Sequence, residues 1–273
     1  MNIKRLFKVG VPVAGLALLR EGFSHRLSMS YYRLQHPKVT ESVRFVVLTD
    51  LHNHYFGEQQ KDLLKRVEAE APDYILLVGD IFDSRWSAQA AQALILALVE
   101  RYPVYYVTGN HEFEYPSIQR LKNWLTRHQV TVLAGDTVKI QHGTMDFTIS
   151  GVDDPNRGRR RIFKQQLKRI DRQLPSDTYN ILLSHQPQRI KEYTQYPFDL
   201  IVSGHAHGGQ IRIPWANQGL YAPQQGFRPL YTHGLHQLPN HAYLIISRGL
   251  AYATTRIPRL FNRPEVVVID LLK

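Results

Sequence analysis

The sequence predicts an α/β fold, and three observations support this prediction. Short apolar runs of strand length alternate with longer stretches in which apolar residues recur at helical spacing. The 273 residues are 43% hydrophobic and 21% charged, a composition typical of a globular protein with a substantial core. Polar motifs follow several of the apolar runs directly. This alternation implies right-handed βαβ units on a largely parallel sheet.

The first half of the chain contains three predicted buried strands and three predicted helices. Strands rich in Val, Ile, Leu and Tyr are expected at 43–49, 74–78 and 104–108. Helical spacing of apolar residues is found at 58–69, 87–102 and 117–128. The second helix begins after Asp83-Ser84, which can cap it, and ends before Pro103.

The second half begins with three short strands that we expect to form an antiparallel, turn-linked group, at 130–133, 137–140 and 145–150. A basic helix and four further strands follow, at 161–174, 179–184, 200–203, 242–247 and 265–271. Residues 204–240 lack periodicity and indicate a long functional loop. Because no repeat or interdomain linker is evident, we expect one catalytic domain, residues 42–273, after an N-terminal segment, residues 1–41.

The N-terminal segment combines basic and apolar residues. Lys4, Arg5 and Lys8 precede an apolar stretch at 9–19, which is about half of the roughly 20 residues that a membrane-spanning helix needs. The stretch fits an export signal, but no small-x-small cleavage site follows it, which favours an uncleaved anchor. We expect membrane association or export to the cell envelope. Attachment at the cytoplasmic face and a buried helix in a cytoplasmic protein remain alternatives.

The formal net charge of +11 comes from two local patches. Residues 1–41 contain seven basic and two acidic side chains, and residues 157–170 contain seven basic and no acidic ones. Such patches favour anionic partners, such as a membrane surface, a cell-wall polymer or nucleic acid. The chain has no cysteine, which excludes disulfides, thiolate zinc sites and a cysteine nucleophile.

Five short motifs at the ends of apolar runs carry potential metal ligands. In chain order they are Asp50-Leu51-His52, Gly79–Asp83, Gly109–Glu112, Ser184-His185 and Gly204–Gly209. Since the carboxyl ends of strands meet at one edge of an α/β sheet, these side chains should converge. In Asp50-x-His52 and His205-x-His207, an extended tripeptide would point both side chains the same way. Oxygen and imidazole ligands without thiolate suit a pair of divalent cations.

This ordered set of motifs closely resembles that of the calcineurin-like metallophosphoesterases, over about residues 43–270. The ending at Gly204–Gln210 is similar to a bacterial envelope group with the pattern Gly-His-x-His-Gly-Gly-Gln. The resemblance implies a four-layer α/β/β/α metallophosphoesterase sandwich with mixed sheets. It also implies an enzyme, a metal-dependent phosphoric ester hydrolase with two divalent metal ions such as Mn, Fe or Zn.

The resemblance further implies roles for individual residues. The metal ligands would be Asp50, His52 and His207 for the first ion, Asn110, His185 and His205 for the second, and Asp80 as the bridge. The ions would lower the pKa of a bridging water, and the bridging hydroxide would attack phosphorus in line with the leaving oxygen. His111, oriented by Asp83, would stabilise the developing charge or protonate the leaving group.

Two regions are expected to select the substrate. The first is a basic rim that would collect anions, with His54, Arg157, Arg159 and Arg160 as candidate substrate-binding residues. The alternative for this rim is a solvated helix face. The second is an amphipathic wall in 211–240, formed by Trp215, Tyr221, Phe227, Tyr231, His233 and His236. Such a wall would suit an acyl or prenyl chain, although simple packing against the protein body is the alternative.

The leading hypothesis is a binuclear phosphoesterase that hydrolyses a phosphodiester, phosphomonoester or pyrophosphate. Its substrate would be a phosphorylated small molecule or lipid of the envelope, such as a UDP-diacylglucosamine-type pyrophosphate. Ser84, where protein phosphatases of the superfamily have Arg, weakens a protein phosphatase assignment. A nuclease or cyclic-nucleotide phosphodiesterase and a non-catalytic, membrane-bound interaction scaffold are the alternatives.

Overall fold

The core of the fold contains two mixed β-sheets. The computed structural model describes residues 20–156, 158–214, 218–252 and 257–273. The first sheet consists of β1 (Ser28–Gln35), β2 (Val43–Leu48), β3 (Tyr74–Val78), β4 (Val104–Val107), β5 (Thr131–Val132) and β14 (Glu265–Leu272). Its spatial order is β1-β14-β2-β3-β4-β5. Only the pairing of β14 with β2 is antiparallel among these described strands.

The second sheet also has six strands within the described part of the chain. They are β6 (Asp136–His142), β7 (Met145–Gly151), β8 (Tyr179–Leu183), β9 (Leu200–Ser203), β12 (Gly234–Gln237) and β13 (Tyr243–Ile246). Their order is β12-β13-β9-β8-β7-β6, with antiparallel pairs at both edges and parallel pairs between them. A separate hairpin joins β10 (Tyr221–Ala222) to β11 (Gly226–Phe227).

The helices form the two outer layers. They are α1 (Lys61–Ala69), α2 (Gln89–Val99), α3 (Ile118–Arg127), α4 (Arg160–Asp171) and α5 (Ile190–Tyr193). Helix α3 begins one residue after the predicted start at 117, and Ser117 caps it, since its hydroxyl accepts a hydrogen bond from the backbone N–H of Arg120. Short 3₁₀ turns lie at Glu58–Gln60, Glu112–Glu114 and His207–Gly209.

Alternate residues of the central strands build separate apolar layers. In β2, Phe45 and Val47 belong to the core between the two sheets, whereas Val46 and Leu48 pack with α1 and α2. In a third apolar core, Phe163 and its neighbours on α4 pack against the outer face of the second sheet. These three cores separate four layers of secondary structure. The predicted four-layer α/β/β/α sandwich with mixed sheets is therefore confirmed.

The edge strand β1 is a feature that the sequence analysis did not predict. The predicted boundary at residue 41 assigns Ser28–Gln35 to the N-terminal segment. In the structure, this strand pairs in parallel with β14, from Ser28 opposite Glu265 to Gln35 opposite Leu272. Its half-exposed, partly polar pattern is typical of an edge strand. The first sheet thus begins before residue 42.

The predicted antiparallel group of three strands is only partly correct. Strands β6 and β7 pair antiparallel, as expected. Strand β5, however, lies in the first sheet and runs parallel to β4, from Tyr105 opposite Thr131. The reason is that α3 forms a full crossover between β4 and β5, which returns the chain in the same direction.

No helix among the described residues is both long enough and apolar enough to cross a bilayer. The apolar stretch at 9–19, on which the expected anchor depends, lies outside the described residues.

Candidate metal centre

The predicted ligands lie on loops that follow β2, β3, β4, β8 and β9, at one edge of the paired sheets. The structure brings six of them into two groups whose ligand atoms lie within 4.8 Å of one another. The groups are Asp50, His52 and His207, and Asp80, His185 and His205. These are the two sets that the resemblance implies, apart from Asn110, which follows β4 at the same edge. The site roles themselves stay a prediction.

Asp80 lies between the two groups. Its Oδ2 is 3.1 Å from Nε2 of His185 and 3.6 Å from Nε2 of His52, so one carboxylate faces both. Its Oδ1 accepts a hydrogen bond from the backbone N–H of His111 at 2.9 Å. Asp80 is also only 1% exposed. This position suits a carboxylate that two cations share.

Three predicted ligand atoms have unsatisfied bonding capacity. Nε2 of His52, Nδ1 of His207 and Oδ1 of Asn110 are buried and have no hydrogen-bond partner among the described residues. Buried polar atoms are normally paired, because leaving one unpaired costs about 1–3 kcal/mol. Imidazole nitrogen and amide oxygen are ligands of divalent transition metals. The residues present therefore fit a metal centre.

The backbone at the site adopts a conformation that L-residues rarely use. Five of the seven predicted ligands have positive φ, namely Asp50 (51°), His52 (47°), Asp80 (52°), His205 (67°) and His207 (46°). Each such residue costs of the order of 1–2 kcal/mol, which the surrounding fold must offset. The assumption of extended tripeptides is therefore wrong. Left-handed turns, and a 3₁₀ turn at His207, bring the paired side chains together.

Burial and neighbouring charges set the protonation of the ligands. Burial lowers the pKa of His205 to about 3 and that of His207 well below its usual range, with neighbouring cationic groups adding to both shifts. Both rings are therefore neutral, as metal binding requires. Burial opposes ionisation of Asp80, but the imidazoles of His185, His111 and His52 outweigh it and hold its pKa well below the ordinary value.

His185 behaves oppositely to the other two ligands. Burial opposes its protonation, yet the carboxylates of Asp80, Asp50 and Asp154 raise its pKa well above the usual value. The proton between His185 and Asp80 thus balances the negative charge of these carboxylates, as a bound cation would. Since a metal ion must displace this proton, we expect metal affinity to fall as the pH is lowered.

Asp83 contacts His52 more closely than it contacts His111. Its Oδ2 is 2.9 Å from Nδ1 of His52 and 3.4 Å from Nδ1 of His111, and Glu114 also lies 3.4 Å from that atom of His111. Burial opposes its ionisation, but hydrogen bonds from Arg85 and His52 lower the pKa of Asp83 strongly. The carboxylate therefore orients the predicted metal ligand His52, while the orientation of His111 by Asp83 stays a prediction.

We expect Asp83→Asn to weaken metal binding about 10–100-fold, because a carboxylate partner fixes the orientation and basicity of a ligating imidazole. Asn also lacks the charge that pairs with Arg85. Competition titration with a fluorescent chelator measures the dissociation constant. Arg85→Gln is the matched control, since it removes the ion pair but keeps the carboxylate against His52. Equal losses in both variants would contradict this account.

The predicted substrate residues have different surroundings. The guanidinium of Arg159 stacks over the ring of Phe113 at 3.8 Å, two residues after His111, whereas Arg160 pairs with Glu192 at 3.1 Å. His54 packs edge-on against Tyr252, and its Nδ1 contacts the carbonyl of Leu51. Arg157 and Trp215 lie outside the described residues. A substrate role for all of these residues stays a prediction.

The sequence analysis assigned no role to Glu112, which the structure shows to be a central clamp. Its side chain is fully buried. Its two carboxylate oxygens accept four backbone hydrogen bonds of 2.8–3.1 Å, from Asp80, Ile81, Phe82 and Gly109. The clamp ties the turn of Asp80 to the turn that precedes Asn110. In the sequence, only the position of Glu112 directly after His111 indicated a role for it.

Arg259 and Asn262 brace the loops of the first group and were also missed. Arg259 is buried and donates to the backbone carbonyls of Gly249 and Ala251, and burial lowers its pKa to about 9. Asn262 donates to the carbonyl of His207 at 2.7 Å. No local motif indicates either residue.

Two further polar residues approach the second group. Oε1 of Gln224, in the turn of the β10–β11 hairpin, contacts Nε2 of His205. Asp154 is nearly fully buried, accepts hydrogen bonds from the backbone of Asn156 and the side chain of Gln186, and has its pKa raised to about 6 by burial. The sequence analysis assigned no role to either residue.

Comparison with known proteins agrees with this geometry. The family model described as "Calcineurin-like phosphoesterase" matches residues 43–209. The chain therefore belongs to the calcineurin-like phosphoesterases, and it is a metal-dependent phosphoester hydrolase by family. The predicted superfamily is confirmed. The family is metal-dependent, and the two described groups of Asp and His residues supply the ligands that such chemistry needs.

Similar proteins come from several sources. An uncharacterized metallophosphoesterase of Campylobacter jejuni is 28% identical over 98% of this chain and 70% of its own length. YkuE of Bacillus subtilis is 29% identical over 86% and 81%. A Bos taurus transmembrane protein with a metallophosphoesterase domain is 31% identical over 86% of this chain and 54% of its own. The fold is also similar to that of TT1561 of Thermus thermophilus, with a TM-score of 0.52, 12% identity and coverage of 77% and 91%.

Proposed function

We propose that this chain is a phosphoesterase that uses two divalent metal ions. The observation that carries the proposal is the pair of ligand groups, Asp50–His52–His207 and Asp80–His185–His205, with Asp80 facing both. Asn110 completes the second set. When bound, two cations in such a site lower the pKa of a water molecule and polarise phosphoryl oxygens.

The protein residues prepare the site for this chemistry. The positive-φ turns and the Glu112 clamp hold the ligands in a fixed geometry before metal or substrate arrives. Preorganisation of this kind avoids reorganisation during the reaction. Neutral His205 and His207 offer lone pairs at physiological pH. The chain itself needs no nucleophilic side chain.

His111 is the proposed proton donor to the leaving group. Its side chain is 20% exposed, unlike the buried ligands, so it lies at the mouth of the site. Asp83 and Glu114 both lie 3.4 Å from Nδ1, so this nitrogen faces two carboxylates. The other nitrogen can then serve the substrate. This arrangement supports an acid or electrostatic role in phosphoester cleavage.

The proposed substrates are phosphodiesters, phosphomonoesters or pyrophosphates at an anionic surface of the cell envelope. The basic helix α4 presents Arg161, Lys164 and Lys168 to solvent and supports recruitment of a phosphorylated small molecule or lipid. The basic and apolar residues at 1–19 support attachment to a membrane. Arg159, next to Phe113 at the site mouth, is the proposed first contact for substrate phosphate.

Metal analysis and a hydrolysis assay test the proposal together. We expect purified protein to hold up to two transition-metal ions per chain and to hydrolyse bis(p-nitrophenyl) phosphate. Chelation should abolish the activity, and Mn²⁺, Zn²⁺ or Fe²⁺ should restore it, because the cations generate the nucleophile. Plasma emission spectrometry and absorbance of p-nitrophenolate are the measurements. Full activity after complete metal removal would refute the proposal.

A further inference from the structure

A stretch of chain without acidic residues leads from the metal centre to an exposed apolar surface. Residues 200–264 contain six arginines and no aspartate, glutamate or lysine. Within this stretch, Phe227 is 73% exposed and Leu230 is 78% exposed, the highest values for large apolar side chains in the described residues. Arg228 lies exposed between them. Contiguous exposed apolar patches, unlike single exposed residues, mark interaction surfaces.

The β10–β11 hairpin connects this surface to the metal centre. Tyr221 and Phe227 are cross-strand partners, so their side chains lie on the same face of the hairpin. The turn between the strands carries Gln224, which has φ of 53° and contacts Nε2 of His205. The turn of the hairpin therefore contacts the predicted second ligand set, and its strands present aromatic side chains to solvent.

A ladder of backbone hydrogen bonds extends from the hairpin to the point where the N-terminal segment enters the described fold. The bonds run from Arg228 to Leu220 (2.9 Å), from Leu220 to Ile211 (2.9 Å), from Arg212 to Leu260 (2.9 Å) and from Phe261 to Gly22 (2.7 Å). Four strand spacings correspond to roughly 19 Å. Phe23, which is 49% exposed, and the exposed Arg20 and Arg26 lie at this entry point.

We propose that this face docks the enzyme onto an anionic lipid bilayer. The docking surface consists of Phe23, Ile213, Tyr221, Phe227 and Leu230, together with Arg20, Arg26 and Arg228. Its apolar side chains enter the boundary between headgroups and acyl chains, and its arginines contact the anionic headgroups. The inference rests on the proposed function, because it specifies that the phosphorylated substrate is reached from the bilayer.

Charge and continuity favour a bilayer over a protein partner or a second copy of the chain. The exposed Arg20, Arg26 and Arg228 suit a partner whose surface is negative, since the nearby Glu21 pairs with Arg263, whereas a second copy would bring the same arginines together. The ladder ends at Gly22, and residues 1–19, which precede this point in the sequence, combine Lys4, Arg5 and Lys8 with an apolar run. Two separate parts of the sequence thus have the same membrane-seeking composition.

The absence of cysteine allows a site-specific test on the full chain. Leu230→Cys is labelled with the environment-sensitive dye NBD and mixed with vesicles of phosphatidylcholine and phosphatidylglycerol. We expect the emission to shift to shorter wavelength, to rise about two- to fivefold, and to be quenched by lipids with a spin label in the acyl chain. Leu96→Cys is the matched control, since Leu96 is 40% exposed on α2, and its emission should not change.

The outcomes decide the inference. An unchanged signal at position 230, or an equal change at position 96, would overturn it. An equal change in emission with vesicles of phosphatidylcholine alone would overturn the inference that anionic headgroups are required. A response to protein concentration without vesicles would instead identify a contact between copies. As a second measurement, Phe227→Asp with Leu230→Asp should lower the fraction that sediments with anionic vesicles about tenfold or more, with a melting temperature close to that of the wild type.

The same preparation separates this inference from the proposed function. Wild-type protein that hydrolyses the water-soluble diester but gives no vesicle signal would refute the docking surface and leave the phosphoesterase proposal intact. Protein that docks on vesicles but hydrolyses no phosphoester with any metal would refute the proposed function instead.

Discussion

Asp80→Asn is expected to lower metal-dependent phosphodiester hydrolysis about 10³-fold or more. Asn keeps the shape of the side chain and can still accept the backbone hydrogen bond from His111. It loses the negative charge that faces His185 at 3.1 Å and His52 at 3.6 Å. On the proposal that two cations share this carboxylate, the variant should bind at most one metal ion and lose activation of the attacking water.

Steady-state kinetics with bis(p-nitrophenyl) phosphate and metal analysis measure the two effects of Asp80→Asn separately. Asp146→Asn is the matched control. The side chain of Asp146 is 40% exposed and pairs with Lys139 at 2.6 Å. It lies at the start of β7, opposite to the strand ends that carry the site. We expect this control to retain at least about half of the wild-type activity, as surface ion pairs contribute little. Two bound ions and near-normal turnover in Asp80→Asn would show that Asp80 is not the bridge.

The sequence was sufficient for the central strands because their side chains are buried on both faces. Tyr74–Val78 and Leu200–Ser203 are continuous apolar runs, and the structure has strands with these bounds. Edge strands carry a weaker signal. Strand β1 mixes exposed and half-buried residues, and its partner β14 lies more than 200 residues away along the chain. A local pattern cannot encode such a pairing.

The site shows a similar division between local and distant information. The convergence of these side chains could be predicted because five motifs place them directly after strands. The residues that hold these loops act through distant contacts, such as Asn262 on the carbonyl of His207 and Gln224 on the ring of His205. Their amide side chains have no characteristic spacing that would set them apart from other polar residues. Packing between distant segments, which only the structure reveals, determines their surroundings.

The positive φ angles explain why the ligand motifs are short and separated. A left-handed residue ends the strand that precedes it, so each of Asp50, Asp80 and His205 marks the point where a strand becomes a turn. The extended tripeptides assumed from the sequence would continue the strands past the edge of the sheet. At the turn of Asp80 the strain is offset by backbone hydrogen bonds, and Glu112 accepts three of them, from Asp80, Ile81 and Phe82.

Glu112→Gln is therefore expected to destabilise the fold by about 2–6 kcal/mol, a large effect for an isosteric change. The amide oxygen can replace one carboxylate oxygen, which accepts from Ile81 and Phe82. The amide nitrogen cannot accept from the N–H groups of Asp80 and Gly109 and would face them as a further donor. Each buried N–H without an acceptor costs about 1–3 kcal/mol.

Urea denaturation followed by circular dichroism measures the free energy of unfolding of wild type and Glu112→Gln. Glu68→Gln is the matched control, because Glu68 is a 42% exposed partner of Arg101, and its loss should cost less than about 1 kcal/mol. Loss of the clamp also releases the turn of Asp80, so metal affinity should fall together with stability. A variant as stable as the control would mean that the N–H groups of Asp80 and Gly109 find other acceptors. The preorganisation of the site would then have to arise from Arg259 and Asn262 instead.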